Sequence, residues 1–245
     1  MRLEVSSLKL CITTHQGLFV NVFDIIFISY NETFADENYA KLKQRFPLAK
    51  RVHGVKGIHQ AHIAAAKKAF TKMFWVVDAD AQVLDSFKFD YTPDDFEGVY
   101  VWRSINPIND LEYGYGGIKL LPKKLTMNLD IVNPDMTTSI SKHFYPMTEV
   151  SNITAFNTDP FSTWRSAFRE CVKLSSKVID GQISKDTEDR LYAWYTNGSE
   201  RPFGEYAIKG ALAGNKYGQE NAGNIPALTL INDFDWLKSQ FEQNH

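Results

Sequence analysis

The sequence predicts one α/β domain: a mixed, Rossmann-like central sheet flanked by helices, with a helical C-terminal part. Three observations predict it. Phe23 to Tyr30 is a nearly continuous β-branched and aromatic run. Phe74 to Val77 is a second apolar run, short enough for a strand buried on both faces. Between and after these runs lie helix-period segments such as His59 to Phe70. At 245 residues the chain suffices for one substantial domain, here 1–245, with a core over about 23–180 and a helical part over 181–245.

The second apolar run leads into Asp78-Ala79-Asp80. If the extension continues, the two carboxylates share a side, because strand side chains alternate with period two. Two acids ending a buried strand are costly unless something offsets their charge. A hard divalent cation does so, and in open α/β sheets ligands sit at the carboxyl ends of strands. Asp78 and Asp80 are therefore candidate ligands for Mn²⁺ or Mg²⁺. The competing reading is an ordinary turn or helix cap, for which Asp is a good residue.

Composition narrows the field. Aromatics make up 13% of the chain and the formal net charge is −2, so no global field draws the protein to nucleic acid or an acidic membrane. Cys11 and Cys171 are far apart and lack metal spacing, which leaves a reducing compartment as the expectation. Leu18 to Tyr30 is apolar, but Asn21 and Asp24 interrupt it, so a signal peptide is not expected. No run reaches the ~18 apolar residues of a membrane span. A cytoplasmic protein is expected.

Along the chain, Leu8 to Thr14 reads as a short strand or an arm. The first strong strand ends in Ser29-Tyr30-Asn31-Glu32, where nucleotide-binding α/β folds hold base or ribose; a simple turn is the alternative. Asp36 to Phe46 is a helix stopped by Pro47, and Lys50 to His53 a short strand. Gly54 to Gly57 is a flexible loop before the helix His59 to Phe70. Lys56 and His59 are candidate donor contacts there, since helix N-termini attract phosphate. His59 and His62 at a spacing of three fit polar packing better than metal ligation. Val99 to Arg103 is another strand and Asn106 to Asp110 a turn.

Tyr113-Gly114-Tyr115-Gly116-Gly117-Ile118 places paired glycines before a strand. Gly116 and Gly117 either admit close backbone approach to a ligand or form a bulge. Asp130 to His143 reads as irregular and Val150 to Phe156 as a strand. Asp159 precedes Pro160 where a helix opens, which suits a cap. That helix runs to about Val178. Arg165, Arg169, Lys173 and Lys177 step by four along it, as either a solvated face or a phosphate-tracking stripe. Thr187 to Trp194 is helical, and Arg201 to Tyr206 opens a short helix. Gly210 to Asn224, rich in Gly and Asn, reads as an ordered loop or lid. Asp233 to Phe241 is a terminal amphipathic helix.

Taken together, Asp78-Ala79-Asp80, the Ser29 to Glu32 loop, Tyr115 to Leu120 and Asn157-Thr158-Asp159 resemble the GT-A-fold glycosyltransferases, over roughly residues 23–180. The segments Ala49 to His59, Phe74 to Asp78, Thr163 to Cys171 and Ile231 to Trp236 look like those of glycosyltransferases from large tailed bacteriophages. The resemblance implies transfer of a sugar from a nucleotide-diphosphate sugar, UDP-linked in most metal-dependent members, to an acceptor hydroxyl. By analogy the acceptor is a hydroxymethylated cytosine in phage DNA, in the host cytoplasm. The implied roles are nucleoside binding at Ser29, Tyr30, Asn31 and Glu32 and donor contact at Asp78, Ala79, Gly116 and Gly117. Metal ligation falls to Asp78 and Asp80, with His143 as the candidate late histidine that many members supply. Asp159, or alternatively Glu205, would act near the sugar carbon. Competing readings are nucleotidyl transfer to a sugar phosphate and a non-catalytic DNA- or protein-binding module.

Overall fold

The computed structural model describes residues 22–114, 116–131, 135–178 and 183–243. The arm predicted at Leu8 to Thr14, Cys11 and Tyr115 lie outside the described residues.

The predicted α/β architecture is present. In chain order the elements are β1 (Asp24–Ser29), α1 (Ala35–Arg45), β2 (Lys50–His53), α2 (Ile58–Lys68) and β3 (Met73–Asp78), then β4 (Ala81–Val83), β5 (Val99–Ile105), β6 (Glu112–Tyr113), β7 (Ile118–Pro122) and α3 (Lys123–Met127). They continue with α4 (Met136–Ile140), β8 (Phe144–Thr154), α5 (Pro160–Ser176), α6 (Ser184–Thr196), α7 (Gly204–Glu220), α8 (Ile225–Thr229) and α9 (Phe234–Gln243). The sheet order is β2-β1-β3-β7-β5-β8-β4, with β6 paired to β5. β1 is parallel to β2 and β3; β7 is antiparallel to β3 and β5; β8 is parallel to β5. Five strands (β1, β2, β3, β5 and β8) therefore share one direction, and their carboxyl ends share one rim.

The chain leaves β1 on one side for β2 and returns on the other for β3. That makes the β1/β3 gap a topological switch point, where open α/β sheets bind ligands. One sheet face buries Phe27, Trp75 and Val77 against Ala35 and Leu42 of α1. The other buries Ile26, Ile28, Phe74 and Val76 against Ala65 and Ala66 of α2. β3 is buried on both faces up to Val77, which explains why Met73 to Val77 is a continuous apolar run rather than an alternating one. Trp75 sits at the centre, edge-on to Phe87 and Phe89 and 4.7 Å from Trp102 between ring centroids. Truncating such a side chain to Ala costs about 3–5 kcal/mol.

Three sequence expectations change. Gly210 to Asn224 is not a loop: residues to Glu220 belong to the 17-residue α7. Its glycines form a packing face. A Cβ on Gly210 would lie 2.3 Å from the Trp164 carbonyl oxygen, and one on Gly214 2.3 Å from that of Phe168. α7 thus rests on α5 backbone to backbone, which only glycine permits. Asp130 to His143 is not wholly irregular, because Asp135 caps α4 by accepting from the Thr138 amide. β8 begins at Phe144, six residues before the predicted start, and its first half is exposed and paired only with β5.

Candidate functional site

The carboxyl ends of β1 and β3 hold the Asp78-Ala79-Asp80 turn, and three hydrogen bonds fix its backbone. The Asp78 amide donates to the Gly117 carbonyl at 2.9 Å, Asn38 Nδ2 of α1 donates to the Ala79 carbonyl at 2.9 Å, and the Ala155 amide donates to the Asp80 carbonyl at 2.7 Å. α1, β7 and the end of β8 therefore position one turn.

The two acids differ in their surroundings. Lys119 of β7 is only 2% exposed, and its Nζ donates to both Asp78 carboxylate oxygens at 2.8 and 3.0 Å and to the Gly116 carbonyl. Burial raises the Asp78 carboxyl, and the Lys119 ammonium opposes that rise. Asp80 has no such partner among the described ion pairs. Burial, then the charges of Asp78 and Glu32, push it up to about 7, with Arg165 and Lys119 pulling the other way. Glu32 reaches back to accept from the Tyr30 amide at 2.7 Å, which folds the loop after β1 toward these acids.

α5 supplies the opposite wall. Asp159 caps it, accepting from the Ser162 amide at 2.8 Å and the Ser162 hydroxyl at 2.7 Å. Burial raises the Asp159 carboxyl, but these bonds outweigh it and hold the group below its ordinary value. One and a half turns on, Arg165 lies across the Phe161 and Phe234 rings, its guanidinium carbon 5.7 and 5.3 Å from their centroids. Its Nε is buried and has no hydrogen-bond partner among the described residues. Arg169 bonds Asn232 at 2.9 Å, and Lys173 pairs with Asp135 at 2.8 Å. Arg165, Arg169 and Lys173 of the basic stripe thus face inward, while Lys177, the C-cap of α5, is exposed.

Three clefts meet between these walls. One of about 210 Å³ runs past Tyr30, Phe34, Phe156 and Asp159; one of about 450 Å³ passes Ser29, Lys56, His59 and Leu237; one of about 140 Å³ passes Gly117, Lys119, Glu170 and Lys173. Asp80 and Arg165 line all three.

Most predicted residues converge here, in different roles. Ser29 lines the largest cleft, but its hydroxyl is engaged with His53 and Arg51 of β2. Tyr30 and Glu32 line two clefts and Asn31 one. Ala79 lines two of them but is buried and anchors the turn through its carbonyl. His59 is buried at the start of α2, while Lys56, which lines the largest of the three clefts, pairs with Asp235 of α9 at 2.9 Å. Gly116 takes φ +78, and a Cβ on Gly117 would lie 2.7 Å from the Asn152 amide nitrogen, so both glycines answer demands of this chain's own packing.

Two predicted residues are not brought to the site. His143 precedes β8, at the amino-terminal rim of the sheet. It contacts Asp95 at 2.8 Å, and the 11-residue strand that follows, roughly 35 Å long, separates it from the acids. Glu205 is exposed in the first turn of α7 and lines none of the three clefts.

Sequence reasoning missed Lys119 and the contribution of Asn232 and Phe234. A lone lysine inside the apolar run Ile118 to Leu121 was the available signal for the first, since such a charge must be paired. Nothing local announces the other two.

Among the described residues no group of three or more His, Cys, Asp and Glu side chains is placed to hold a metal ion. The acids still suit a metal that arrives on phosphate. Mg²⁺ commonly binds one or two carboxylates together with substrate phosphates. Asp80 has no paired cation among the described ion pairs, so a bound cation would relieve the repulsion from Asp78 and Glu32 that disfavours its ionised form. Asp78, with both oxygens engaged by Lys119, is the poorer ligand. No protein-family model matches the chain, and no curated protein matches it.

Proposed function

We propose that this chain is a nucleotide-sugar glycosyltransferase that binds its donor where the three clefts meet. The observation that carries the reading is the placement of Asp80 and Arg165 together at the β1/β3 switch point, lining every cleft. The nucleoside lies along Tyr30, Asn31 and Glu32, and the sugar toward Gly117 and Lys119. Asp80, with Glu32, would hold Mg²⁺ or Mn²⁺, and the ion would neutralise charge on the leaving group. Asp78 acts through Lys119 and the turn rather than as a ligand. Asp159 serves as the cap of α5.

The UDP donor and a hydroxyl acceptor follow from the resemblance. A hydroxymethylated cytosine acceptor in DNA rests on the resemblance alone, because three of the four residues in the stripe that could have tracked DNA phosphates line the clefts instead. No helix among the described residues is long and apolar enough to cross a membrane.

The test is a thermal-shift series with nucleoside diphosphates and nucleotide sugars, each with Mn²⁺ and with chelator, followed by donor hydrolysis. Binding to the native state raises the midpoint. A Mn²⁺-enhanced shift with one nucleoside diphosphate, lost in Asp80→Asn, is the expected result. No shift with any nucleotide, in either condition, would sink the reading.

A further inference from the structure

The acids and Arg165 face one another without touching. No described ion pair joins Arg165 to Asp80, Glu32 or Asp159, yet all three acids act on its charge. The space between is where the clefts join. An arginine held this way is unusual: a guanidinium has five donors, and a buried one left unsatisfied costs free energy. Here the Nε is buried and unpaired among the described residues, while the Phe161 and Phe234 rings flank the group at 5.7 and 5.3 Å. The rings restrict the side chain before any ligand arrives, so little further freedom is lost on binding.

We propose that Arg165 is the phosphate anchor of this site, donating through its guanidinium to oxygens of a diphosphate. The ligand class is a nucleoside diphosphate or any compound carrying that moiety. This deepens the donor-site reading and rests on it for the nucleoside, though not for the anion. A planar fork matches phosphate oxygens better than an ammonium does. The opposed acids give the slot a polarity: a bound cation faces Asp80 and Glu32, and phosphate faces Arg165. Phe234 comes from α9, so the anchor is complete only when the C-terminal helix is docked, and the Lys56–Asp235 pair ties that helix to the loop before α2.

The experiment is calorimetric titration of the full chain with inorganic pyrophosphate, UDP and uridine, each in Mn²⁺ and in chelator. It is repeated on Arg165→Gln and Arg165→Lys after circular dichroism and melting confirm folding. The anchor predicts that Arg165→Gln weakens pyrophosphate and UDP by about 10- to 100-fold while leaving any uridine binding unchanged. Arg165→Lys should recover only part of the loss, because the point charge returns without the fork. Wild-type affinity for both phosphates in Arg165→Gln overturns the proposal, as does no pyrophosphate or UDP binding by the wild type. If Arg165→Gln fails to fold, the lysine variant decides: undiminished UDP affinity there also overturns it. Arg165-dependent pyrophosphate binding with no turnover of any nucleotide sugar would instead retain the anchor and remove the transferase reading.

Discussion

Lys119 holds both carboxylate oxygens of Asp78, at 2.8 and 3.0 Å, from the adjacent antiparallel strand. The first acid of the motif therefore carries its own counter-charge, and the second does not. That asymmetry divides the turn into an acid that positions and an acid that is open to a ligand. Removing Lys119 leaves Asp78 uncompensated. Lys119→Met should destabilise the fold by about 3–5 kcal/mol in urea unfolding, and adding Asp78→Asn should restore part of it. Additive losses in the double variant would contradict the pairing.

Asp80 presents the opposite case. It costs the ligand-free fold stability, because burial and the neighbouring charges of Asp78 and Glu32 disfavour its ionised form. In chelator at pH 8, Asp80→Asn should raise Tm by roughly 2–6 °C while losing the Mn²⁺-dependent nucleotide shift. A lower Tm, or a retained shift, would refute this division of labour.

Asp135 gives a pH dependence with the other sign. Burial raises its carboxyl, but the Lys173 ammonium and the Thr138 donors outweigh that and bring it down to about 2. A carboxyl depressed on folding contributes stability above its unfolded value, near 3.9, and that contribution is lost as pH falls through the folded value. Asp135→Asn should therefore cost about 2 kcal/mol at pH 7, with the gap to wild type closing between about pH 4 and 2. A gap that persists at pH 2 would show that the ion pair is not its source.

The α5–α7 contact is tested by Gly210→Ala and Gly214→Ala. Alanine improves helix propensity by about 1 kcal/mol, but its methyl would meet a carbonyl at 2.3 Å. The steric term should win, lowering Tm by roughly 4–8 °C in each variant. A rise in Tm would mean that the two helices separate freely.

Glu205→Gln and His143→Ala should leave nucleotide binding and turnover at wild-type levels, since neither side chain lines a cleft at the acids. A tenfold loss in turnover for either would return that residue to the mechanism.

The sheet was legible where burial was complete. β1 is apolar from Ile25 to Ile28 and β3 from Met73 to Val77, so no periodicity had to be resolved, and α5 declared itself through Asp159-Pro160 and its apolar stripe. α7 was hidden because glycine reads as a loop former, and close helix packing is invisible until the partner helix is known. The first half of β8 was hidden because it lies exposed and carries Pro146, so neither alternation nor an apolar run marks it. At the site, the acids could be read because two of them end one strand. Lys119 lies 41 residues from Asp78, and Phe234 lies 69 residues from Arg165, so those pairings belong to the fold rather than to any local motif.

The glycine face of α7 reaches further than stability. α5 lies between α7 on one side and the clefts on the other, and Gly210 and Gly214 press on the carbonyls of Trp164 and Phe168, which bracket Arg165 in sequence. The guanidinium is thus set in place from behind, by two atoms that are missing. A methyl group added there never meets a ligand, yet it pushes the helix toward the acids and narrows the slot between them. Tuning of the site is expected at positions that a search for binding residues would pass over, with nucleotide affinity shifting in step with the size of the side chain on the far helix.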